Sequence, residues 1–205
     1  MTLLTESQAS QVADAITQVE THTDAELVTV LAKQADDYLY IPTLWAALLA
    51  LVSPGILLIT PFWLDVADIL LLQLTTFIAS ALFLRIPAVL RRIIPKSVKR
   101  WRASNMARRC FLENNLHHTK GESGLLIFVA ETERYVEILA DRGIDRHVDP
   151  AAWQTIVDEF TEKLHDKQTL NGFLGAINQC GGILSTHLPA TEQKNELANH
   201  LIIIE

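Results

Sequence analysis

Two long apolar stretches stand out in the pattern of hydrophobic and polar positions along the chain. The first runs from Leu39 to Leu64 without a charged residue, and the second runs from Ile69 to Leu84. Each is long enough to form a helix that crosses a bilayer core of roughly 30 Å. The pattern predicts a transmembrane helical hairpin over residues 39–90, in which Pro54 kinks the first helix without ending it.

Two alternatives to a transmembrane hairpin fit the same stretches. One is a buried helical hairpin of a soluble protein, and the other is a re-entrant pair broken at Ser53-Pro54-Gly55. The aromatic residues Trp45, Phe62 and Trp63 lie toward the predicted ends of the first span, where aromatic rings favour the membrane interface. Length and aromatic placement together favour the transmembrane hairpin.

The segments on either side of the hairpin carry the shorter periodicities of a soluble domain. Short apolar runs predict three strands, at residues 27–32, 125–130 and 135–140. Apolar positions at helical spacing predict four helices, at residues 6–20 after the Thr5 and Gln8 capping box, at 98–118, from Pro150 after the Asp149 cap, and from Thr169.

This order of elements predicts an α/β fold, a small α/β/α sandwich with helices packed on its sheet. Residues 1–38 supply its first helix and strand, and residues 91–188 supply the remainder after the hairpin. A tail follows at residues 189–205, and its apolar run at 201–204 has no predicted place in the fold.

Charge predicts how the hairpin is oriented. Residues 85–109 hold nine basic residues and no acidic one, directly after the second span. By the positive-inside rule this end of the hairpin stays in the cytoplasm, and two spans return the chain to its starting side. We therefore expect a multi-pass membrane protein with both termini and the sheet domain in the cytoplasm.

The same charges predict what the chain binds. The net charge is −7, so the chain outside the +9 basic stretch carries −16, which is unlike a nucleic-acid-binding protein. We expect the basic side chains to meet anionic head groups of the lipid bilayer. The membrane-surface residues are Arg91, Arg92, Lys96, Lys99 and Arg100. The two cysteines form no disulfide framework, as suits a reducing cytosol.

Acidic residues gather in the predicted loops at the edge of the sheet. Carboxylate oxygens are the ligands that Ca²⁺ and Mg²⁺ prefer. The candidate metal ligands are Glu26, Glu122, Asp141 and Asp145. The alternative is that they are solvated loop carboxylates, because spacing alone does not define a metal cage and the EF-hand pattern is missing. Arg142 either contacts a phosphate or a partner, or pairs with Asp141 beside it.

No catalytic residue is assigned from the sequence. Neither cysteine is followed by five residues and an arginine, and no G-x-S-x-G frame or P-loop lysine occurs. The histidines lack the spacing of zinc ligands. A hydrolase on this chain would need a metal-activated water, so it depends on the carboxylates.

The order of the elements and several short motifs resemble the TPM domain family. These motifs are Gly124 opening the apolar strand, Arg134 in the turn, Gly143 with Asp145 after the third strand, and Asn171-Gly172-Phe173-Leu174-Gly175-Ala176-Ile177 in the last helix. The resemblance covers residues 5–38 and 103–188, with the hairpin as an insertion. The family includes a thylakoid-lumen acid phosphatase tied to photosystem repair and many bacterial membrane-anchored proteins. The resemblance therefore implies that the expected multi-pass protein lies in the bacterial inner (plasma) membrane.

A bacterial subgroup of that family is particularly similar. It shares the motifs Thr23-Asp24-Ala25-Glu26, Asp36-Asp37-Tyr38 and Ala140-Asp141-Arg142-Gly143-Ile144. This chain has Glu122-Ser123 where many members carry paired aspartates, Arg142 where they carry an aromatic residue, and Asp145 where they carry a glutamate. If the aspartate pair binds calcium in relatives, the resemblance implies weak calcium binding here, or none.

Two functions are compatible with the sequence. The first is a membrane-anchored interaction, assembly or repair-type module at the cytoplasmic face, which binds another membrane protein. The second, implied by the resemblance and the acidic loops, is a metal-dependent acid phosphatase-like hydrolase. We favour the first, because it explains the hairpin insertion and needs no catalytic residue.

Overall fold

The computed structural model of the protein describes residues 4–57, 65–119, 121–191 and 201–204. The chain forms two compact units, of which the first comprises Met1–Ala35 with Arg100–Glu205 and the second Asp36–Lys99. The predicted interfacial residues Phe62 and Trp63 lie outside the described residues.

A mixed four-stranded sheet is the centre of the first unit. Its strands are β1 Glu26–Ala32, β2 Gly124–Ala130, β3 Tyr135–Ala140 and β4 Leu201–Ile204. The order is β3-β2-β1-β4, with β1 parallel to both of its neighbours and β3 antiparallel to β2. Both central strands are buried along their whole length, as their continuous apolar runs predict.

Helices cover the first unit's sheet on both faces. The helices of the chain are α1 Glu6–Glu20, α2 Tyr40–Leu57, α3 Val66–Leu84, α4 Pro87–Ile93, α5 Lys96–Glu113, α6 Arg142–Asp145, α7 Pro150–His165 and α8 Thr169–His187. Alternate strand residues such as Leu31 and Ile127 pack with α1, α7 and α8 on one face. The intervening residues, such as Val30 and Phe128, pack with α5 on the other. The predicted α/β class is confirmed, with a mixed sheet between two helical layers.

Local signals account for where several helices begin. The Gln8 N–H donates to Thr5 Oγ1 (3.3 Å) and the Thr5 N–H donates to Gln8 Oε1 (2.9 Å), which completes the predicted capping box of α1. The Asp149 carboxylate accepts from the Ala151 N–H (2.9 Å), and Pro150 takes the first helical position of α7.

One local prediction is wrong, and two segments without a predicted structure form regular elements. The helix expected to reach residue 118 ends at Glu113, because Asn115 adopts a left-handed φ of 56° that α-helix cannot continue through; a short 3₁₀ turn, Leu116–His118, follows. After β3 the chain forms a short helix that was not predicted from the sequence, α6, capped by Asp141. The apolar run at 201–204, which had no predicted place, forms β4 beside β1.

In the second unit, α2 and α3 pack against each other. Pro54 lies inside α2, which continues to Leu57. Of the described helices, α3 is long and apolar enough to cross a membrane, with 19 residues and a mean hydropathy of 1.9, whereas α2 is apolar but shorter. Tyr38 and Ile41, at the start of this unit, pack with Ile94 near its end.

Candidate functional site

The four acidic candidates and Arg142 belong to elements that meet at one corner of the sheet, where β1 and β2 begin and β3 ends. Glu26 opens β1 opposite Gly124 of β2, and its backbone N–H donates to the Ser123 carbonyl (3.1 Å). The Asp141 N–H, at the end of β3, donates to the Gly124 carbonyl (2.9 Å). The strand register therefore brings these backbones together although they are distant in sequence.

At this corner the loop before β2 is hydrogen-bonded to the segment that follows β3. Gly121 and Glu122 both have left-handed φ values, 84° and 54°, which turn the chain sharply before β2. The Gly143 N–H donates to the Glu122 carbonyl (2.9 Å). A Cβ on Gly143 would lie 2.6 Å from that same oxygen, so only glycine permits this approach. The motif glycine after the third strand thus has a packing role.

The acidic side chains at the corner have separate environments. Asp141 caps α6 by accepting from the Arg142 N–H (2.8 Å), and its other oxygen, Oδ2, is buried with no hydrogen-bond partner among the described residues. Burial, and secondly the Asp141 carboxylate, raise the pKa of Asp145. The Glu122 carboxylate lies 3.5 Å from the Arg146 guanidinium. Glu26 is buried, with 3% of its surface exposed.

These environments do not fit a preformed cage for Ca²⁺ or Mg²⁺. Within residues 4–57, 65–119, 121–191 and 201–204, no three Asp, Glu, His or Cys side chains gather as a metal-binding group. The Glu122 carboxylate is paired with Arg146, and Asp141 is engaged as a helix cap. The metal set of Glu26, Glu122, Asp141 and Asp145 stays a prediction, and no chemical step is derived through it.

The basic candidates lie on three elements. Arg142 is exposed at the first position of α6. Arg91 and Arg92 occupy the last turn of α4, where cations are favoured. Lys96, Lys99 and Arg100 begin α5, and the Lys99 ammonium donates to the Arg91 carbonyl (2.9 Å).

Sequence reasoning missed a half-buried carboxylate on β3. Ser104 Oγ of α5 donates to Glu137 Oε1 (3.1 Å), and the Tyr135 hydroxyl donates to Glu137 Oε2 (3.1 Å). Burial raises the pKa of Glu137 despite these hydrogen bonds. The signal was the alternation in β3, because Glu137 shares a sheet face with Tyr135 and stands opposite the core residue Phe128.

Comparisons with known proteins bear on the family and the fold. Residues 91–183 match the family model of the TPM domain, which confirms the resemblance over that range. The structure is similar to the NMR structure of the BA42 protein from the psychrophilic bacterium Bizionia argentinensis, with a TM-score of 0.60 and 17% sequence identity over 98% of this chain and 94% of that one. At that identity the likeness shows the fold alone. No curated protein matches the sequence.

Proposed function

Because residues 91–183 of this chain belong to the TPM domain family, we propose that the protein is a TPM-domain protein anchored in the bacterial inner (plasma) membrane by α2 and α3. Its sheet domain acts at the cytoplasmic face as an interaction, assembly or repair-type module and binds another membrane protein.

The anchoring proposal rests on which side chains α2 and α3 bury and which they expose. The buried positions of α2 include small residues, Ala46 and Ala50, and α3 buries no side chain. Large apolar side chains point outward along both helices instead. They include Leu44, Leu48, Leu49, Leu51, Val52 and Ile56 of α2 and Val66, Leu70, Leu71, Leu74, Ile78, Leu82 and Phe83 of α3.

Water is a poor solvent for such a surface. Burying one large apolar side chain stabilises a protein by about 1.5–3 kcal/mol, so a soluble hairpin would turn its leucines inward. Small residues at the helix contact and large apolar ones outside are the arrangement that lipid favours, because lipid tails solvate leucine as well as protein does. Lipid around α2 and α3 therefore explains the packing better than a soluble hairpin.

Alkaline extraction of membranes tests the anchoring. The wild-type chain is expected in the membrane pellet after a carbonate wash. Leu71→Arg with Leu74→Arg, on the outer surface of α3, is expected to release it, because arginine near the centre of a span costs about 2.5–3.5 kcal/mol. The matched control is Gln154→Arg, on the exposed face of α7. Release of the wild-type chain by carbonate would refute the anchoring.

Reporter fusions test the proposed orientation. A fluorescent protein fused after Thr191 is expected to fluoresce, because this end lies in the cytoplasm. Alkaline phosphatase inserted between Leu57 and Asp65 is expected to be active, because it reaches the oxidising side. A dark fluorescent-protein fusion together with an inactive alkaline phosphatase insertion would mean that the basic residues at 91–100 do not determine the orientation.

Site-specific crosslinking tests the interaction role. A photoreactive amino acid replaces Arg142, exposed at the corner of the sheet, and a control replaces Gln154 on α7. The proposal expects an adduct with a membrane protein from Arg142 and none from Gln154. Equal adducts from both positions would argue against a specific contact at this corner.

The metal-dependent phosphatase stays a prediction of the sequence, because no observation among the described residues favours it. Calorimetric titration with Ca²⁺ and Mg²⁺ is its test. Saturable heat that is lost in the double variant Glu122→Gln with Asp141→Asn would restore it as a candidate.

A further inference from the structure

The outward face of α5 carries an ordered set of exposed side chains. Ala103, Ala107 and Cys110 bury the inward face against the sheet. At positions i, i+4, i+7 and i+11 on the opposite side lie four exposed residues, which we call the outer stripe. They are Trp101, Asn105, Arg108 and Leu112. These spacings place them along one line of the helix, spanning about 16 Å.

Both apolar members of the outer stripe are unusually exposed for their unit. Among its described residues, the large hydrophobic side chains classed as exposed are Trp101 at 58%, Leu112 at 56% and Ile203 at 40%. Two of these three share the outer stripe. A tryptophan is seldom left this exposed without a partner, because its ring offers a large apolar area.

Arginines border the apolar members. The Arg102 guanidinium lies over the Trp101 ring, 4.9 Å from its centroid, and Arg109 lies beside Arg108. Arg109 is paired with Glu113 at 3.4 Å, and Glu113 is the only acidic residue in α5. Together with the neighbouring arginines, the outer stripe thus forms a surface of net positive charge with protruding apolar side chains, on a chain whose net charge is −7.

From this combination we infer that the outer stripe binds the surface of an anionic lipid bilayer. Indole rings favour the interface, where the ring meets hydrocarbon and the N–H meets water. Guanidinium groups donate paired hydrogen bonds to phosphate oxygens. The Trp101 ring lies at head-group depth with Leu112 beside the acyl chains, and the exposed Arg108 and Arg109 contact lipid phosphates.

This inference rests on the proposed membrane anchoring, which makes a weak contact effective. The outer stripe begins at Trp101, seventeen residues after the end of α3 at Leu84. Seventeen residues span at most about 60 Å when fully extended, and α4 and the start of α5 shorten that reach, so a short tether joins the outer stripe to the bilayer that holds α3. A tethered surface experiences a high local concentration of lipid and needs little intrinsic affinity.

Quenching of tryptophan fluorescence by brominated lipids tests the inference on the full chain. The protein is reconstituted in vesicles of phosphatidylcholine alone or mixed with phosphatidylglycerol, with bromine placed near the head groups. The wild type is compared with Trp101→Phe, and Trp153→Phe is the control because Trp153 is buried in the core at 7% exposure. The hairpin tryptophans add the same signal to every variant.

In the vesicles that contain phosphatidylglycerol, we expect bromine to quench the fluorescence of Trp101→Phe less than that of the wild type. Trp153→Phe should be quenched as strongly as the wild type. Arg108→Gln with Arg109→Gln should weaken the contact about fivefold for each arginine removed, so that quenching of Trp101 declines. Unchanged labelling of buried Cys180 would show that each variant remains folded.

Equal quenching of the wild type and Trp101→Phe, in protein that resists carbonate extraction, would overturn this inference and leave the anchoring intact. Shielding of Trp101 from aqueous iodide without quenching by bromine would also overturn it, because a protein would then cover the outer stripe. If carbonate releases the wild-type chain, the anchoring fails and this inference fails with it.

Discussion

Two glycines of α8 provide a matched test of how tightly the core is packed. A Cβ on Gly172 would lie within 3.0 Å of two ring carbons of Phe160 and 3.1 Å from a third. A Cβ on Gly182 would have no atom within 4 Å. Gly172→Ala and Gly182→Ala are therefore the same chemical change in the same helix, one against the core and one in open space.

The two substitutions are expected to have opposite effects on the free energy of unfolding. Replacing glycine by alanine inside a helix stabilises it by up to about 1 kcal/mol, which is all that Gly182→Ala should show. In Gly172→Ala the Phe160 ring must retreat to a carbon–carbon distance of about 3.5 Å. It is 2% exposed and packs edge-on against Phe173, with 4.9 Å between ring centroids, so it cannot move freely.

Overpacking of this kind costs about 1–3 kcal/mol, and a disturbed aromatic pair adds about 0.5–1.5 kcal/mol. After the helix gain, Gly172→Ala should be destabilised by about 1–3 kcal/mol. The two variants should therefore differ by about 2–4 kcal/mol.

Thiol labelling at increasing urea measures this difference within the first unit. Cys110 and Cys180 are the only cysteines of the chain, and both are buried there. Burial raises the pKa of Cys180 to about 12, so its thiol reacts once α8 opens. Gly172→Ala should be labelled at lower urea than the wild type and Gly182→Ala at equal or higher urea. A shift of both variants in the same direction would refute the packing argument.

Three further predictions concern the corner and β3. Gly143→Ala should lower the free energy of unfolding by about 2–4 kcal/mol in the same labelling assay, since its Cβ would push away the Glu122 carbonyl that the Gly143 N–H now binds. Burial raises the pKa of Glu137 above 4.5, so the folded state holds its proton to higher pH than the unfolded state. The free energy of unfolding of the wild type should therefore decline as pH rises from the unfolded-state pKa of Glu137, about 4.5, through its higher folded-state pKa. The urea midpoints of Glu137→Gln should lack this decline. Asp141→Asn should lower the pKa of Asp145 in a carboxyl NMR titration, because it removes the second cause of the upward shift; an unchanged pKa would contradict the coupling.

Signals that operate within a few residues allowed much of the fold to be predicted from sequence. The capping box at Thr5 and the cap and proline at Asp149 and Pro150 fix helix starts through neighbouring backbone groups. The uninterrupted apolar runs of β1 and β2 predict strands covered on both faces. These features need no information from distant parts of the chain.

Features that depend on distant residues escaped prediction. β4 consists of four residues whose strand conformation depends on pairing with β1, almost the whole chain away. Within the predicted metal set, the Glu122 carboxylate pairs with Arg146 and the Asp141 carboxylate caps α6, and the pairing with Arg146 joins residues 24 positions apart. The sequence indicated that these carboxylates lie in loops at the edge of the sheet, but it left open whether they converge and which groups they contact.

The pairing of β1 with β2 has a consequence for the order in which the protein folds. Paired residues of these strands, such as Glu26 and Gly124, stand 98 positions apart, so the domain cannot begin its sheet until the hairpin has been synthesised. Tyr38 and Ile41 pack with Ile94, which joins the two ends of the second unit. The open loop between β1 and β2 is then shorter by most of the residues of that unit. By the logarithmic dependence of closure entropy on loop length, this shortening lowers the cost of joining the strands by about 1 kcal/mol. Assembly of the hairpin should therefore precede and accelerate formation of the sheet.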